Sequence, residues 1–431
     1  MKLIIATGIF PPDIGGPATY SKKIMEEFLK HGWDVKVLTY ANLRECERES
    51  TRTEGTAAEE SFKVIRVSNA HNVFARYFLY TWNLYKLAKW ADLIYAQGPV
   101  SEGLPAYIAS KLAGKKFVLK VVGDPAWERF LAIKRENKNL EIEKSKNLEF
   151  GKFVDLEKFQ DMNDVPFKIR ILKLIERMVA NNADRIITPS KYLKSIVMGW
   201  GVDLGKIDVV YNAADEIDDQ KVKLEEGQEE IINCPSAKIL AQAGKLEIGN
   251  LRLDGDIILS AGRIVQWKGF DLLVDIMPEL LAVNPKFKLV IVGDGPGMAS
   301  LKSKVKSQKL CENGIISLTG KLEHKELLDL MKKSKVFILN SGYEGLSHVI
   351  IEAMQKGLPC AVSNKGGNPE LVEDNKTGLL FEYNNMDEIK NAIIRLWRDD
   401  NLRERVVSGS YEKIKKFNYE RMIIEIEKIL N

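Results

Sequence analysis

Thirteen short β-type runs, separated by helix-type runs, constrain this chain more than any other feature in it. Seven lie in the first half: Leu3–Ala6, Asp34–Thr39, Phe62–Val67, Asp92–Ala96, Phe117–Val122, Arg185–Thr188 and Asp208–Tyr211. Six lie in the second: Asp256–Ala261, Lys288–Val292, Ile315–Leu318, Val336–Asn340, Pro359–Ser363 and Gly378–Phe381. Strands that alternate with helices build βαβ units and parallel sheets. The first connection has the required pattern, with Tyr20, Ile24, Phe28 and Leu29 forming an apolar stripe that stops at Gly32. The strand series breaks between 213 and 255, where an acidic stretch runs from Ala213-Ala-Asp-Glu-Ile-Asp-Asp to Glu229-Glu230. A chain of 431 residues has room for two or three domains. The expected organisation is α/β: a doubly wound parallel-sheet domain over 1–212, an acidic linker region over 213–255, a second doubly wound domain over 256–410, and a C-terminal helix over 411–431 within reach of the first domain. Ligands bind outside the carboxyl ends of strands in such sheets, so a cleft between the domains is expected. The charged segment 134–164 reads equally as an ordered insertion or a mobile loop.

Composition narrows the class. Apolar content of 45% and charge of 29% fit a soluble globular protein. The opening Met1-Lys-Leu-Ile-Ile-Ala-Thr reads as a strand rather than a secretory leader, and no apolar run reaches the roughly 18 residues of a membrane span. Cys46, Cys234, Cys311 and Cys360 are scattered, which points to reduced thiols, a cytoplasmic setting and no structural metal. Residues 1–212 hold 33 Lys/Arg against 26 Asp/Glu, a balance of +7, and residues 213–431 hold 31 against 34, a balance of −3. The denser patch at Lys111, Lys115, Lys116 and Lys120 reads as a solvated surface or as an attractor for an anionic membrane or a phosphorylated acceptor. The aromatic segment from Phe74 to Tyr85 reads as domain core ahead of a membrane-facing or acceptor-facing helix.

Chemistry concentrates at the strand ends of the second half. Gly262-Arg263-Ile-Val-Gln-Trp-Lys268-Gly269 follows a strand with a turn-forming glycine and two cations five apart, one a bidentate fork and one a point charge, a pairing suited to a diphosphate. Glu344 and Glu352 lie eight apart across a strand-to-helix junction. With the helix starting near Gly345, Glu344 stands at its positive end and Glu352 two turns further in, roughly 12 Å along the axis. That span matches a sugar, a diphosphate and a ribose in series. Taken alone, the pair would be a helix face. Gly293-Asp-Gly295-Pro-Gly297 lacks the third glycine of a dinucleotide fingerprint, because Met298 occupies that place, and reads as a tight turn near a nucleotide. Gly366-Gly367 and Phe10-Pro-Pro-Asp-Ile-Gly15-Gly16 are amide-rich turns able to hold an anion or a sugar hydroxyl. Neither a Walker-type phosphate loop nor a metal-ligand motif is present.

The ordered set Phe10-Pro-Pro…Gly15-Gly16, Tyr211-Asn212, Gly262-Arg263…Lys268-Gly269, Gly293-Asp-Gly295, Glu344 to Glu352-Ala-Met, Gly366-Gly367 and Thr377-Gly378-Leu resembles the retaining family 4 (group 1) glycosyltransferases across nearly the whole chain. The resemblance implies the glycosyltransferase B fold, with two Rossmann-like domains, the acceptor mainly on the first and a nucleotide-sugar donor mainly on the second. It implies that Arg263 and Lys268 grip the donor diphosphate, that Glu352 binds the ribose, and that Glu344 contacts the transferred sugar. It also places Gly15, Gly16, Gly345, Leu346 and Ser347 against the donor, and Lys321 and Leu322 near the base. It implies no cofactor and no metal. The expected partners are a nucleotide-diphosphate sugar and a sugar, lipid-linked or small-molecule acceptor, with peripheral membrane contact through the basic first domain and no nucleic acid. Two departures stand out. Asp124, in Val121-Val122-Gly123-Asp124-Pro125, replaces a histidine frequent in the family, and reads either as a residue that touches the sugar or orients the acceptor or as a turn aspartate. Ser347-His348 replaces a Gly-apolar pair. The competing readings are a sugar-nucleotide epimerase on the same fold and a non-catalytic nucleotide-sugar binding protein.

Overall fold

A computed structural model describes residues 1–13, 16–42, 63–137, 153–213, 246–248, 251–253, 255–310 and 314–431. Gly15, Cys46, Cys234, Cys311, the acidic run 214–245 and residues 138–152 of the charged segment lie outside the described residues. All thirteen β-type runs are strands, and the two large sheets they form are parallel throughout.

The chain divides into two compact units. The first comprises Met1–Tyr211 together with Met422–Asn431. Its strands are β1 (Lys2–Ala6), β2 (Asp34–Ala41), β3 (Lys63–Ser68), β4 (Leu93–Ala96), β5 (Lys116–Lys120), β6 (Arg185–Thr188) and β7 (Ile207–Val209), in the order β3-β2-β1-β4-β5-β6-β7. Leu3, Ile4, Ile5 and Ala6 are all buried, because a parallel strand covered on both faces needs a continuous apolar run. The helices are α1 (Gly16–Lys30), α2 (Val73–Ala88), α3 (Gly103–Ala113), α4 (Pro125–Asn137), α5 (Leu156–Asp161), α6 (Phe167–Asn181) and α7 (Lys191–Gly199). In α1 the predicted stripe is the buried one, with Tyr20, Ile24 and Phe28 turned inward. Lys120, expected in the basic surface patch, is interior instead, because it ends the buried strand β5, and its Nζ lies 3.0 Å from the centre of the Tyr20 ring.

The aromatic helix α2 departs from expectation. Tyr80, Leu84 and Ala88 face the interior, but Phe74, Phe78 and Trp82, spaced four apart on another face, are exposed. A helix lying on a sheet buries one stripe only, and α2 has more aromatic positions than that stripe can take.

The second unit spans Asn212–Arg421. A short antiparallel ribbon of β8 (Leu246–Ile248) and β9 (Leu251–Leu253) sits within the expected linker. The main sheet is β10 (Asp256–Ala261), β11 (Phe287–Val292), β12 (Ile316–Gly320), β13 (Val336–Leu339), β14 (Cys360–Ser363) and β15 (Leu379–Phe381), ordered β12-β11-β10-β13-β14-β15. Its helices are α8 (Phe270–Asp275), α9 (Met277–Val283), α10 (Met298–Ser307), α11 (His324–Lys333), α12 (His348–Gln355), α13 (Asn368–Leu371), α14 (Met386–Arg398) and α15 (Asp400–Ile414). Phe270, Leu273, Leu289, Ile338, Ile393 and Leu396 belong to one buried core.

Helix α15 runs through position 411, so the C-terminal helix begins later than expected, as α16 (Tyr419–Leu430). Met422, Ile423, Ile426 and Leu430 are buried, and Lys116 Nζ donates to the terminal carbonyls of Ile429 (3.3 Å) and Leu430 (2.8 Å), where a cation also meets the negative helix end. Truncating a fully buried isoleucine typically costs about 2–5 kcal/mol. Ile426→Ala is therefore expected to lower stability by about that amount in urea unfolding, and a loss under about 1 kcal/mol would show that α16 contributes little to the first unit.

Candidate active site

In the second unit the chain leaves β10 toward β11 on one side and later fills β13 on the other, so β10 and β13 flank the switch point of the sheet. Two loops rise there: 262–269 after β10 and 340–347 after β13. Their shape depends on backbone lying on backbone. Gly293 has φ of 135°, and a Cβ on it would stand 1.9 Å from the carbonyl oxygen of Gly262. Gly366 has φ of 59°, and a Cβ there would stand 2.4 Å from the Glu344 carbonyl oxygen. No residue with a side chain fits either place. The Gly293-Asp-Gly295 turn thus buttresses the Arg263 loop, with Ile264 N donating to Asp294 O at 3.0 Å and Gly297 N to Ile264 O at 2.9 Å. Gly366-Gly367 packs against the Glu344 loop. The Gly367 amide donates to Glu344 O at 2.8 Å, so it supports the Glu344 loop.

Asn340 fastens the loops to one another. It is fully buried, its Nδ2 donates to Gly269 O (3.2 Å) and Asn384 Oδ1 (2.8 Å), and its Oδ1 accepts from Asn384 N (2.9 Å). Gly342 N adds a bond to Trp267 O at 2.6 Å. Sequence reading passes over Asn340. The available signal is an amide residue closing the apolar strand Val336-Phe-Ile-Leu, where a polar group must find partners.

This framework brings Lys268 and Glu344 together. Lys268 ends a single 3-10 turn (Gln266–Lys268), and its Nζ forms an ion pair with Glu344 Oε1, with side-chain exposures of only 12% and 11%. Removing one partner from so enclosed a pair typically costs about 3–5 kcal/mol. Arg263, by contrast, is exposed and has no hydrogen bond or ion pair among the described residues. Helix α12 starts at His348, not near Gly345, because 342–347 are held as an irregular loop by Trp267, Ser341 and the glycine pair. Glu344 therefore precedes the helix by four residues. The Ser347 side chain does not cap the helix. The amides of Gly345, Leu346 and Ser347 donate to no acceptor among the described residues, leaving a positive helix end at the switch point.

Glu352 lies one turn inside α12, and its Oε1 is 3.0 Å from His324 Nε2, at the first residue of α11. Lys321 is exposed and Leu322 half-buried in the loop just before His324, so the structure joins the Lys321-Leu322 loop to Glu352 through a histidine that sequence reading does not select.

In the first unit the corresponding switch point lies between β1 and β4. Gly16 is the first residue of α1 and is exposed, with open space where a Cβ would go. Glu102, in the loop after β4, is buried beside Gly8 and Gly98, accepts a hydrogen bond from the Ser101 hydroxyl, and is held above the ordinary carboxyl range chiefly by burial. Asp124 is 1% exposed. Its Oδ1 accepts from Trp127 N and its Oδ2 from Gln160 Nε2, both at 2.7 Å, so the side chain caps α4 and reaches no solvent. The structural reading of Asp124 as a turn residue is the one its geometry supports. Behind it, Glu176 Oε1 accepts from Ala126 N at 2.8 Å. Burial, then the neighbouring Asp124 charge, pushes the Glu176 carboxyl well above its ordinary value, and burial also raises Asp124.

Two α/β units, each built on a parallel sheet, have the architecture of the glycosyltransferase B fold. Residues 245–413 match the family described as glycosyl transferases group 1, and residues 15–213 match the glycosyl transferase 4-like domain. The chain belongs to the group 1 glycosyltransferases. It is 26% identical over 442 residues to an uncharacterized glycosyltransferase of Methanocaldococcus jannaschii, covering 100% of this chain and 98% of that one. It is 35% identical over 132 residues, 29% of this chain and 33% of the relative, to the Escherichia coli UDP-Gal:alpha-D-GlcNAc-diphosphoundecaprenol alpha-1,3-galactosyltransferase. Anabaena HepE, solved in complex with UDP and glucose, superposes with a TM-score of 0.69 at 18% identity, covering 100% of this chain and 98% of HepE, and so shares the fold.

The raised carboxyls make a pH prediction. A folded-state carboxyl raised above its ordinary value binds protons that the unfolded chain has lost, so its stabilising share is complete at acid pH and is lost as pH climbs past 4.5 toward the raised value. Glu176→Gln keeps the acceptor for Ala126 N and removes the charge. It is expected to flatten the fall in stability as pH rises above the ordinary carboxyl value and to raise stability at neutral pH. Identical slopes for variant and parent in unfolding titrations would refute the assignment.

Proposed function

We propose that this chain is a retaining glycosyltransferase that moves a sugar from a nucleotide-diphosphate donor, a UDP-sugar in preference to a GDP-sugar, onto a hydroxyl of a lipid-linked acceptor in glycolipid or polysaccharide synthesis, working in the cytoplasm at the inner face of a membrane. The observation that carries the donor reading is the juxtaposition at one switch point of an unpartnered Arg263, the Lys268–Glu344 pair and the open amides of 345–347. The UDP in the HepE structure and the UDP-Gal in the name of the Escherichia coli relative support the choice of base.

In this reading Arg263 and Lys268 hold the diphosphate, the 345–347 amides face its oxygens, Glu344 contacts the sugar, Glu352 with His324 meets the ribose hydroxyls, and Lys321 and Leu322 lie by the base. Breaking the glycosyl–phosphate bond puts negative charge on the departing diphosphate and positive character on the anomeric carbon. Two cations and a helix end stabilise the first of these without a metal ion. The acceptor oxygen attacks on the face the diphosphate leaves, its proton passing to a departing phosphate oxygen, so configuration is retained. Asp124 serves this chemistry only by shaping the start of α4.

Calorimetry with UDP is expected to detect binding that Arg263→Ala weakens by about 10- to 100-fold, the range for one or two hydrogen bonds to a charged group. Unchanged affinity would remove Arg263 from the diphosphate. In transfer assays run with EDTA, Glu344→Gln is expected to lower turnover about 10²- to 10³-fold while UDP affinity stays near that of the parent. Near-normal turnover would reject the sugar contact, and inactivity of the parent in EDTA alone would reject metal-free transfer.

A further inference from the structure

Fifteen large apolar side chains are exposed among the described residues, and all fifteen lie in the first unit. Ten of them sit on three helices: Val73, Phe74, Phe78 and Trp82 on α2, Ile108 and Leu112 on α3, and Phe167, Ile171, Leu174 and Met178 on α6. Helix α2 packs along α3, and α3 along α6, so the three faces adjoin. Phe74 is 88% exposed, Phe167 74%, and Phe78 and Leu112 67% each.

Helix α6 carries apolar residues on its exposed side as well as on its buried side, where Ile169, Val179 and Ala180 lie. Its exposed stripe, at spacings of four, three and four, is apolar, while Lys173 and Glu176 face inward. Both inward groups have structural partners: Lys173 Nζ donates to the carbonyls of Phe159, Gln160 and Met162 at 3.0–3.1 Å, and Glu176 takes Ala126 N. Packing within the unit thus accounts for the buried side of α6 and leaves its exposed apolar stripe unexplained. Exposed apolar area this contiguous marks an interaction surface.

Charge indicates what covers it. The three helices carry seven cationic residues (Arg76, Lys86, Lys111, Lys168, Arg170, Lys173, Arg177) and one acidic residue, Glu176, which is buried. Every exposed charge on these helices is therefore positive. Lys86 Nζ lies 5.1 Å from the centre of the Trp82 ring, Lys89 Nζ 4.9 Å from Tyr85, and Lys111 Nζ 5.9 Å from Tyr107, which is the aromatic–basic arrangement of an interfacial helix. A second copy of the chain would set cations against cations. No helix among the described residues is long and apolar enough to cross a bilayer, so contact would be in the plane of the surface.

We infer that the α2–α3–α6 face docks on an anionic lipid bilayer, with Phe74, Phe78, Trp82, Leu112, Phe167 and Leu174 entering the acyl boundary and the flanking lysines meeting the headgroups. The inference identifies the surface behind the membrane-side acceptor proposed above. It needs no donor for its test, so its failure and a failure of nucleotide binding are separate results.

The test is flotation of the full chain with vesicles of phosphatidylcholine alone or mixed with phosphatidylglycerol. The chain is expected to float with the mixed vesicles and to be released by salt. Phe74→Ser/Phe78→Ser/Trp82→Ser, at exposed positions that leave the interior intact, is expected to lower the bound fraction at least tenfold. Lys86→Glu/Lys111→Glu/Lys168→Glu is expected to weaken binding by about fivefold or more for each charge reversed, whereas Lys302→Glu in the second unit leaves it unchanged. Lipids brominated in the acyl chain are expected to quench fluorescence that Trp82→Phe removes. Absence of flotation overturns the proposal, as does flotation that both variants retain. Dimerisation in sedimentation velocity that the serine variant abolishes, without vesicle binding, would assign the face to a second copy instead.

Discussion

Glu344 is held by its backbone, and the candidate site depends on that. Gly366 and Gly367 press against the Glu344 and Gly345 carbonyls at distances no Cβ would permit, and the Gly367 amide bonds the Glu344 oxygen. With the main chain fixed from behind, the carboxylate is free to face Lys268. The same construction fixes Lys268 from the other side, since Gly269 lies against Asn340 and Gly262 against Gly293. Four strand ends thereby become one rigid platform. A pair so enclosed would be costly if either group could drift away from the other, and the backbone contacts prevent that drift without using side chains.

Beyond the Lys268–Glu344 pair, the fully buried polar groups of the two units differ in kind. In the second, the fully buried Asn340 and Ser363 join loop to loop around the switch point, and neither carries charge. In the first, Glu102, Asp124, Glu176 and Lys120 are all buried, and burial shifts each toward its neutral form. Buried ionisable groups cost several kcal/mol apiece unless neutralised or bonded, so a chain keeps them where they hold a backbone in place. Asp124 and Glu176 do this for the start of α4, a segment that Pro125 leaves without one donor of its own. That explains why an aspartate with a sugar-facing look in the sequence is interior in the structure.

Legibility in the sequence depends on which forces act locally. The thirteen strands were legible because buried parallel strands must be continuously apolar, and that pattern survives any tertiary context. The positions of Arg263, Lys268 and Glu344 after β10 and β13 were legible because glycines stand beside them at the strand ends. What glycine does at such an end was not: Gly366-Gly367 is also a close-packing surface, a role that depends on a carbonyl 22 residues away. The start of α12 was misplaced for the same reason, since Trp267 and the glycine pair hold the loop open against the helical preference of the residues after it. His324 escaped notice because its partner Glu352 is 28 residues distant. The ribbon β8–β9 was too short to give a periodic signal.

The aromatic helix α2 sharpens the same point about context. Its sequence has apolar residues on more than one face, and general burial statistics favour an interior place. The sheet beneath takes Tyr80 and Leu84 and has no room for a second stripe. An ordinary soluble helix would carry polar residues at the positions left over. Here α2, α3 and α6 all carry apolar ones, and the second unit, with the same architecture of helices on a parallel sheet, exposes none among its described residues. Both units set helices on a parallel sheet, so that architecture does not account for the contrast. A surface that one unit exposes and its architectural counterpart avoids is a property of what that unit touches, and the uniformly positive fringe narrows that contact to something negatively charged and apolar beneath.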